Sequence, residues 1–412
     1  MRNLIAIAVR NVLRNKRRTL ITLLALLIGV GVMVSIRGLL NGLQSSMIES
    51  ATKGQTGALQ VHKKGYLKNV LASPLDLDLA ADEAFLNKIK AVPHVTAVAP
   101  RILFGGMVNV EDETLFVQIF AVDPVREFLA LPKRKEVLNG SANAFATGQT
   151  PNGIVVTEEL AKGLVDGKKR KDFSAPTALL APDRDGALSA EDAKILGTMT
   201  LTSPGEKKVA MVPLALAQRL LKLEGRATEI AVAIDDLDHL DAVRDGLRAA
   251  LGPDYEVHRW DEIALFFKDI VFRQNLVLSI VATVFMILML LGVANTMLMA
   301  VLDRTREIGT MMAVGVRRGK ILLLFLLEAL TIGVLGGISG GALGGAVVAY
   351  MNARTLQIAL PTSPIPFVVV PYVTTGYIAS VVLVAGLGAV VFALYPAWRA
   401  SRMRPVQALA GG

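Results

Sequence analysis

The chain has 412 residues, of which 53% are hydrophobic and only 5% aromatic, and a mean hydropathy of +0.50. This aliphatic excess excludes an ordinary soluble protein and points to membrane helices. The formal charge of +9 would suit a nucleic-acid binder, but residues 43–270 carry 27 Lys and Arg against 32 Asp and Glu. The surplus of basic residues therefore lies beside the apolar runs, and nucleic acid is not an expected partner.

In chain order, residues 1–18 form a cytoplasmic N-terminal segment. Its Leu4, Ile5, Ala8 and Val9, set against Arg2 and Arg10, read either as an amphipathic helix on the inner leaflet or as a plain extension of the span that follows. Residues 19–42 make a first transmembrane helix, uncharged from Thr19 to Ile36. That apolar stretch exceeds a usual signal-peptide core and no small-x-small cleavage site follows it, so the span is expected to be retained.

Residues 43–270 read as an α+β domain inserted between the first and second spans. Phe85, Leu86, Ile89 and Val92 share a helix face, as do Leu240, Val243, Leu247 and Leu251. Strand patterns run over Val95–Val98, Phe116–Val122, Glu229–Ile234 and Tyr255–His258. The two ends of the domain thus resemble each other: a helix, a short Gly or Pro turn, a strand. Residues 126–205 are richer in Gly, Pro and charge and are expected to be an inserted subdomain with mobile loops, its Lys168–Lys171 run a solvated turn.

Three further spans are expected at 274–302, 321–351 and 373–394. A segment at 303–320 joins the first two of these, a loop at 352–372 carries Pro361, Pro364, Pro366 and Pro371, and a tail occupies 395–412. Arg10, Arg14, Lys16, Arg17 and Arg18 flank the first span. Arg304, Arg306, Arg317, Arg318 and Lys320 lie in the 303–320 segment, and Arg399, Arg402 and Arg404 follow the last span, whereas the 352–372 loop has Arg354 alone. The positive-inside rule then places both termini in the cytoplasm and the 43–270 domain outside.

The absence of Cys excludes disulfides, a thiol nucleophile and a Cys-based metal site, and suits a periplasmic domain large enough to fold without staples. His62, His94, His239 and His258 are far apart in sequence and form no i,i+4 pair, so no metal is expected. Gly315-Val-Arg-Arg-Gly319-Lys320-Ile321 has one residue too few between its glycines for a phosphate loop, and Ile where Ser or Thr should hold Mg²⁺. With no nucleophile elbow either, no catalytic constellation is visible and no cofactor site is expected in this chain.

Glu328 is the only charge between Ile321 and Ala353, about 12 Å beyond Lys320 along the helix. It reads as the structural partner of a nearby Arg, or as a snorkelling acid, rather than a proton relay, because no second intramembrane acid is visible. The same span carries two glycine ridges, Gly333, Gly337, Gly341 and Gly345 on one, Gly336, Gly340 and Gly344 on the other. Each allows close backbone approach, within the protomer or to a second copy.

Three segments are specific: Ala8-Val-Arg-Asn-Val-Leu-Arg-Asn-Lys-Arg-Arg-Thr-Leu20, Asp303-Arg-Thr-Arg-Glu-Ile-Gly-Thr-Met-Met-Ala-Val-Gly315, and Tyr395-Pro-Ala-Trp-Arg-Ala-Ser-Arg-Met-Arg-Pro-Val-Gln-Ala-Leu409. Together with Val155–Ala161, Val212–Gln218 and Trp260–Ile263 they resemble the ABC permease family that includes the lipoprotein-releasing (LolC/LolE), macrolide-efflux (MacB) and cell-division (FtsX) proteins. The resemblance implies a non-catalytic permease subunit of the bacterial inner membrane. It implies as partners a separate cytoplasmic ABC ATPase dimer carrying ATP and Mg²⁺, a second permease copy or a related permease, membrane lipid, and a periplasmic carrier or adaptor. On this resemblance the 303–320 segment docks the ATPase, with Arg304, Arg306 and Glu307 giving polar contacts and Ile308, Gly309 and Met312 a packed face. The chain begins some 18 residues before its first span and has a large outer domain, an arrangement most similar to the lipoprotein-releasing branch. Efflux of drugs or peptides, and regulation of cell-wall hydrolases, are the alternative activities the family offers.

Overall fold

A computed structural model describes residues 16–111, 113–165, 176–200, 208–354, 356–358 and 367–403. The N-terminal amphipathic stretch, the Lys168–Lys171 run, the prolines at 361, 364 and 366 and the tail beyond Met403 lie outside the described residues. In chain order the elements are α1 (Lys16–Gly54), β1 (Leu59–Lys63), β2 (Leu79–Ala80), α2 (Glu83–Lys90), β3 (Val95–Val110), β4 (Glu113–Val122), α3 (Pro124–Ala130), α4 (Pro132–Glu136), β5 (Leu138–Asn139) and β6 (Gly153–Thr157). They continue with α5 (Glu158–Val165), β7 (Thr177–Pro182), β8 (Leu188–Met199), β9 (Val209–Pro213), α6 (Leu214–Leu221), β10 (Arg226–Ala227), β11 (Glu229–Ile234), α7 (Leu240–Leu251), β12 (Tyr255–Arg259) and α8 (Trp260–Ile263). The chain closes with α9 (Leu265–Asp303), α10 (Thr305–Ala313), α11 (Arg318–Ala353) and α12 (Thr375–Ser401). Four of these helices, α1, α9, α11 and α12, are long and apolar enough to cross a membrane. The chain divides into two compact units, a helical one from 1–44, 271–356 and 368–412, and an α/β domain from 45–270 with 357–367.

In the α/β domain the antiparallel ladder β12-β1-β11-β3 is covered on one face by α2 and α7. Asp82 starts α2 by accepting a hydrogen bond from the Phe85 N–H at 2.8 Å, and Leu86 and Ile89 turn inward. Leu240, Val243, Leu247 and Leu251 do the same from α7, and both sets meet Val61, Val98, Ile230, Val232 and Val257 on the strands. The two ends of the domain, alike in sequence, are thus neighbours on one sheet.

Beyond β3 the pairing closes on itself: β3-β4-β9-β6-β8-β7 and back to β3. Ile102, Phe104, Val108, Ile119, Ile154, Leu179, Ile195 and Val212 from these six strands converge in one buried cluster with Leu216 and Leu220 of α6. The segment 126–205, expected to stand apart as a subdomain, instead supplies β5–β8 to this same sheet. Among the described residues its charge sits largely on α3, α4, α5 and the open first half of β8, while the buried strands read Gly153-Ile-Val-Val-Thr157 and Thr177-Ala-Leu-Leu-Ala-Pro182. The four histidines, distant in sequence, come together as two pairs. His94 and His239 stack with ring centroids 3.7 Å apart, and His62 and His258 lie at 5.6 Å. Strand pairing does this, because Ile234 lies opposite Val95 and His62 opposite Glu256.

On the other face of β3 and β11 the core is charged. Arg101, 1% exposed, forms two parallel hydrogen bonds to Glu127 at 2.7 and 2.8 Å, and donates to the Gln55 carbonyl at 2.8 Å and to Glu229 at 3.4 Å. Arg134 adds a bond to Glu127 at 2.6 Å. Burial works against the Arg101 charge, but the Glu127 and Glu229 carboxylates outweigh it and hold the guanidinium above its ordinary range. Burial likewise raises Glu229, and His62 and Arg101 outweigh it, leaving the carboxyl below its ordinary value. A buried carboxylate shared by two arginines is costly to delete, because it strands both cations. Glu127→Ala is expected to destabilise the domain by about 3–5 kcal/mol, measured by chemical denaturation of the purified protein. A loss under about 1 kcal/mol would show that water reaches the network.

In the helical unit α11 is the hub, and the structure decides what its glycines face. A Cβ on Gly336, Gly340 or Gly344 would lie 2.6 Å from the Cβ of Leu26, Val30 or Val34 of α1. A Cβ on Gly333 would lie 2.6 Å from the Ala385 carbonyl of α12, and one on Gly341 would lie 2.8 Å from Ile378. Both ridges are therefore spent inside the protomer, one on each neighbouring helix. Gly340→Leu should lower the thermal unfolding midpoint in detergent markedly, because α1 backbone and side chains would have to retreat by an ångström or so. Gly345→Ala, whose Cβ meets Ile378 at an ordinary 3.6 Å, should leave it within a degree or two of the parent. Equal effects from the two would mean that close approach does not set the stability.

Candidate functional site

Between the second and third spans the chain makes one compact helix. Residue Asp303 ends α9, Arg304 departs from helical geometry, and α10 begins at Thr305, whose hydroxyl donates to the Leu302 carbonyl at 2.7 Å. The end of α10 is set by Gly315 at φ +90°, a left-handed conformation that suits glycine, with its N–H on the Met312 carbonyl and the Val316 N–H on the Met311 carbonyl. The chain then turns directly into α11.

Inward, Ile308 is fully buried among Val301, Ile321, Phe325, Ala397 and Ala400, so α10 is seated on the ends of α9, α11 and α12. Outward, Arg306, Glu307, Thr310 and Ala313 are exposed, and Val314 is 81% exposed. Glu307, Thr310, Met311, Val314 and Val316 line an open groove of about 400 Å³. Residues 307, 310, 311 and 314 share one helical face by their spacing of three and four.

The two residues at the start of this segment are fixed to two different spans. Asp303 pairs with Arg18 of α1 at 2.7 Å, in partial exposure where such a pair contributes at most about 1 kcal/mol. Arg304 reaches Glu328 of α11, its Nη1 3.2 and 3.3 Å from the two carboxylate oxygens, with both side chains buried. Here burial makes the pairing obligatory for each partner.

The residues picked out in the sequence therefore divide. Arg306 and Glu307 are exposed on α10, as a docking surface requires. Arg304, expected among the docking contacts, instead points inward and neutralises Glu328. Of the expected packed face of Ile308, Gly309 and Met312, Ile308 is packed against the protein's own spans, Met312 flanks the same cluster and Gly309 is buried. Sequence reasoning passed over Thr310 and Val314, although their spacing from Glu307 places them on its face.

The stretch 19–250 matches the family model described as a MacB-like periplasmic core domain, and 279–405 matches the one described as FtsX-like permease C-terminal. The chain belongs to the MacB/FtsX-like ABC permease family. Among its relatives, the macrolide export ATP-binding/permease protein MacB of Neisseria gonorrhoeae is 24% identical over 420 residues, covering 98% of this chain and 60% of that protein. The protein of the same name from Hyphomonas neptunium is 32% identical over 232 residues, covering 55% of this chain and 34% of its own length. The chain thus spans about 60% of the length of curated relatives matched end to end. Among solved structures, the periplasmic region of MacB from Actinobacillus actinomycetemcomitans covers 53% of this chain and 94% of its own, at 10% identity and a TM-score of 0.38. The extracellular domain of the noncanonic ABC-type transporter YknZ from Gram-positive bacteria covers 49% of this chain and 99% of its own, at 14% identity and a TM-score of 0.34.

In this MacB/FtsX-like permease the Arg304–Glu328 pair can be tested by removing its halves separately and together. Glu328→Leu leaves Arg304 buried without its carboxylate and should cost about 3–5 kcal/mol of stability in detergent. Adding Arg304→Met to that variant should restore most of the loss, since two apolar groups of similar volume replace the pair. If the double variant is less stable than Glu328→Leu alone, the guanidinium holds α10 through its other contacts and the pair is secondary.

Proposed function

We propose that this chain is the permease subunit of an ATP-driven complex and that the outward face of α10 receives a cytoplasmic ABC ATPase. The observation that carries this reading is the division of α10 itself. One face is anchored in the ends of three spans, and the opposite side exposes Arg306 and presents Glu307, Thr310 and Val314 along an open groove. A nine-residue helix held in this way moves with its spans, so force applied to the groove passes to α9 and α11 without being absorbed by a loose loop.

The flanking Lys and Arg support an orientation in the bacterial inner membrane with both termini and α10 in the cytoplasm and the α/β domain in the periplasm. The four spans hold little intramembrane charge, and the Arg304–Glu328 pair buried among them reads as structural, which suits a transmitter of motion better than a polar pore. On this reading ATP and Mg²⁺ act on the ATPase, a second permease copy or a related one completes the complex, and the substrate is lipoprotein or another amphiphile taken from the outer leaflet. Relatives named for macrolide export favour a second reading, efflux of a drug-like amphiphile with a periplasmic adaptor. Both use the same coupling face.

The coupling face is tested by Glu307→Lys and Val314→Arg, which change only exposed side chains. Each should leave insertion unchanged and lower association with the co-expressed ATPase by roughly tenfold, a loss of about 1.4 kcal/mol. Undiminished association in both variants would reduce α10 to an anchor. Reporter fusions supply the topology, with Asn139 and Lys207 expected outside and Arg317 and Gly412 inside.

A further inference from the structure

Two connections of the α/β domain meet at the end of the β3–β11 ladder. The turn from α2 into β3 carries His94, and the turn from β11 into α7 carries Asp235 and His239. A register shift between Ala233 and Ile234 ends the regular pairing there. His94 adopts φ +70°, a left-handed conformation uncommon outside glycine, and its carbonyl accepts the Asp235 N–H at 3.1 Å. The imidazole is thereby turned onto the carboxylate.

The result is a compact donor set. His94 Nδ1 lies 2.8 Å from one Asp235 oxygen and His239 Nδ1 lies 2.9 Å from the other. One donor atom from each of the three residues lies within 4.8 Å of the other two. Asp235 and His239 are spaced i,i+4, which brings both onto one side of the turn into α7. All three side chains are partly open to water, with 41–45% exposure. We propose that His94, Asp235 and His239 bind one divalent transition-metal ion of the Zn²⁺ class, with water completing the coordination.

Two imidazoles and one carboxylate suit Zn²⁺, Cu²⁺ or Ni²⁺ and disfavour Mg²⁺ or Ca²⁺, which take oxygen ligands. The size fits as well. At a metal–ligand distance of about 2.1 Å, neighbouring ligands of a tetrahedral ion stand about 3.4 Å apart. The present nitrogen–oxygen separations are hydrogen-bonded ones, so each ring need retreat only by about half an ångström to admit the ion. The ion does not have to create the site, because the left-handed His94 and the stacked rings already bring the donors together. It would act as a clip between the connections before β3 and after β11, joining the two ends of the domain that share a helix–turn–strand pattern. Only a neutral imidazole can bind the ion, so a proton competes with the metal and binding should weaken as pH falls.

Co²⁺ serves as a spectroscopic stand-in, and the lack of Cys leaves its visible bands free of thiolate charge transfer. The full chain, purified in detergent with a tag free of histidine and treated with chelator, is titrated with Co²⁺. One equivalent per chain should bind with the strong visible absorption of a low-coordinate site, and Zn²⁺ should displace it. His94→Ala and His239→Ala, both at partly exposed positions, should keep the circular dichroism of the parent and weaken affinity by on the order of a hundredfold, since even lost supporting residues cost ten- to a hundredfold. His258→Gln, which alters the other histidine pair, should bind as the parent does. Zn²⁺ should also raise the unfolding midpoint of the parent and not of the two alanine variants. Absence of Co²⁺ absorption, or binding undiminished in folded His94→Ala and His239→Ala, would overturn the site. Neither result bears on the coupling face of α10.

Discussion

Glu328 is an acid within an otherwise uncharged span, and its burial there demands a cationic partner. Its partner, Arg304, comes from the residue that breaks helical geometry between α9 and α10. The pair therefore fixes where the second span stops and where the short helix begins. Ile308, one turn on, then falls among the ends of α9, α11 and α12, and the residues on the far side of α10 are left facing away from the protein. A buried ion pair is weak evidence for stability, since apolar groups of the same volume often serve as well. It is stronger as a device for specificity, because a register error of one residue in either helix would leave two charges unpaired in an apolar setting.

Lipid gives helices no hydrophobic reason to associate, so the remaining order of the bundle rests on shape. The third long helix supplies it by omitting side chains on two faces. The ridge at 336, 340 and 344 admits α1, and the ridge at 333, 337 and 341 admits α12. The second long helix is the least enclosed of the four, with Leu276, Val277, Ile280, Val284, Phe285, Leu288 and Leu291 exposed. Its apolar surface suits lipid or another membrane helix, whereas Gly333, Gly336, Gly337, Gly340, Gly341 and Gly344 of α11 are already buried against α1 and α12.

What the sequence disclosed, and what it withheld, follows from the range of the interactions involved. Spans are local: a run of uncharged residues between Arg273 and Asp303 announces itself in one window. So are the face of Leu240, Val243, Leu247 and Leu251 and the motif around Glu307. The glycine ridges were legible as ridges, but what packs on them is a property of two other helices. The closed ring of six strands was hidden for the same reason. It depends on β3 being long enough to pair with β11 over one half and β7 over the other, and on parallel pairings of β4 with β9 and β6 with β8, none of which leaves a local periodicity. Segment 126–205 looked like an insertion because the charged residues of α3, α4, α5 and β8 dominate its composition, while its buried strands β6 and β7 are only 5 and 6 residues long.

The inward turn of Arg304 shows how a motif can be recognised correctly and its residues still be assigned the wrong tasks. The pattern from Asp303 to Gly315 is conspicuous as a unit, and within it basic residues invite a role in docking. Charge alone does not distinguish an arginine that faces a partner from one that satisfies an acid in its own bundle. The distinguishing information was present, but 24 residues away: a single Glu in an otherwise uncharged span requires a cation, and the nearest candidates in space are the arginines at the mouth of the same helical hairpin. Helical geometry then selects among them. Arg306 lies beyond the break and on the far side of α10, so only the residue at the break can reach inward. A demand created within the bundle thus determines which of two arginines, 304 and 306, remains available at its surface.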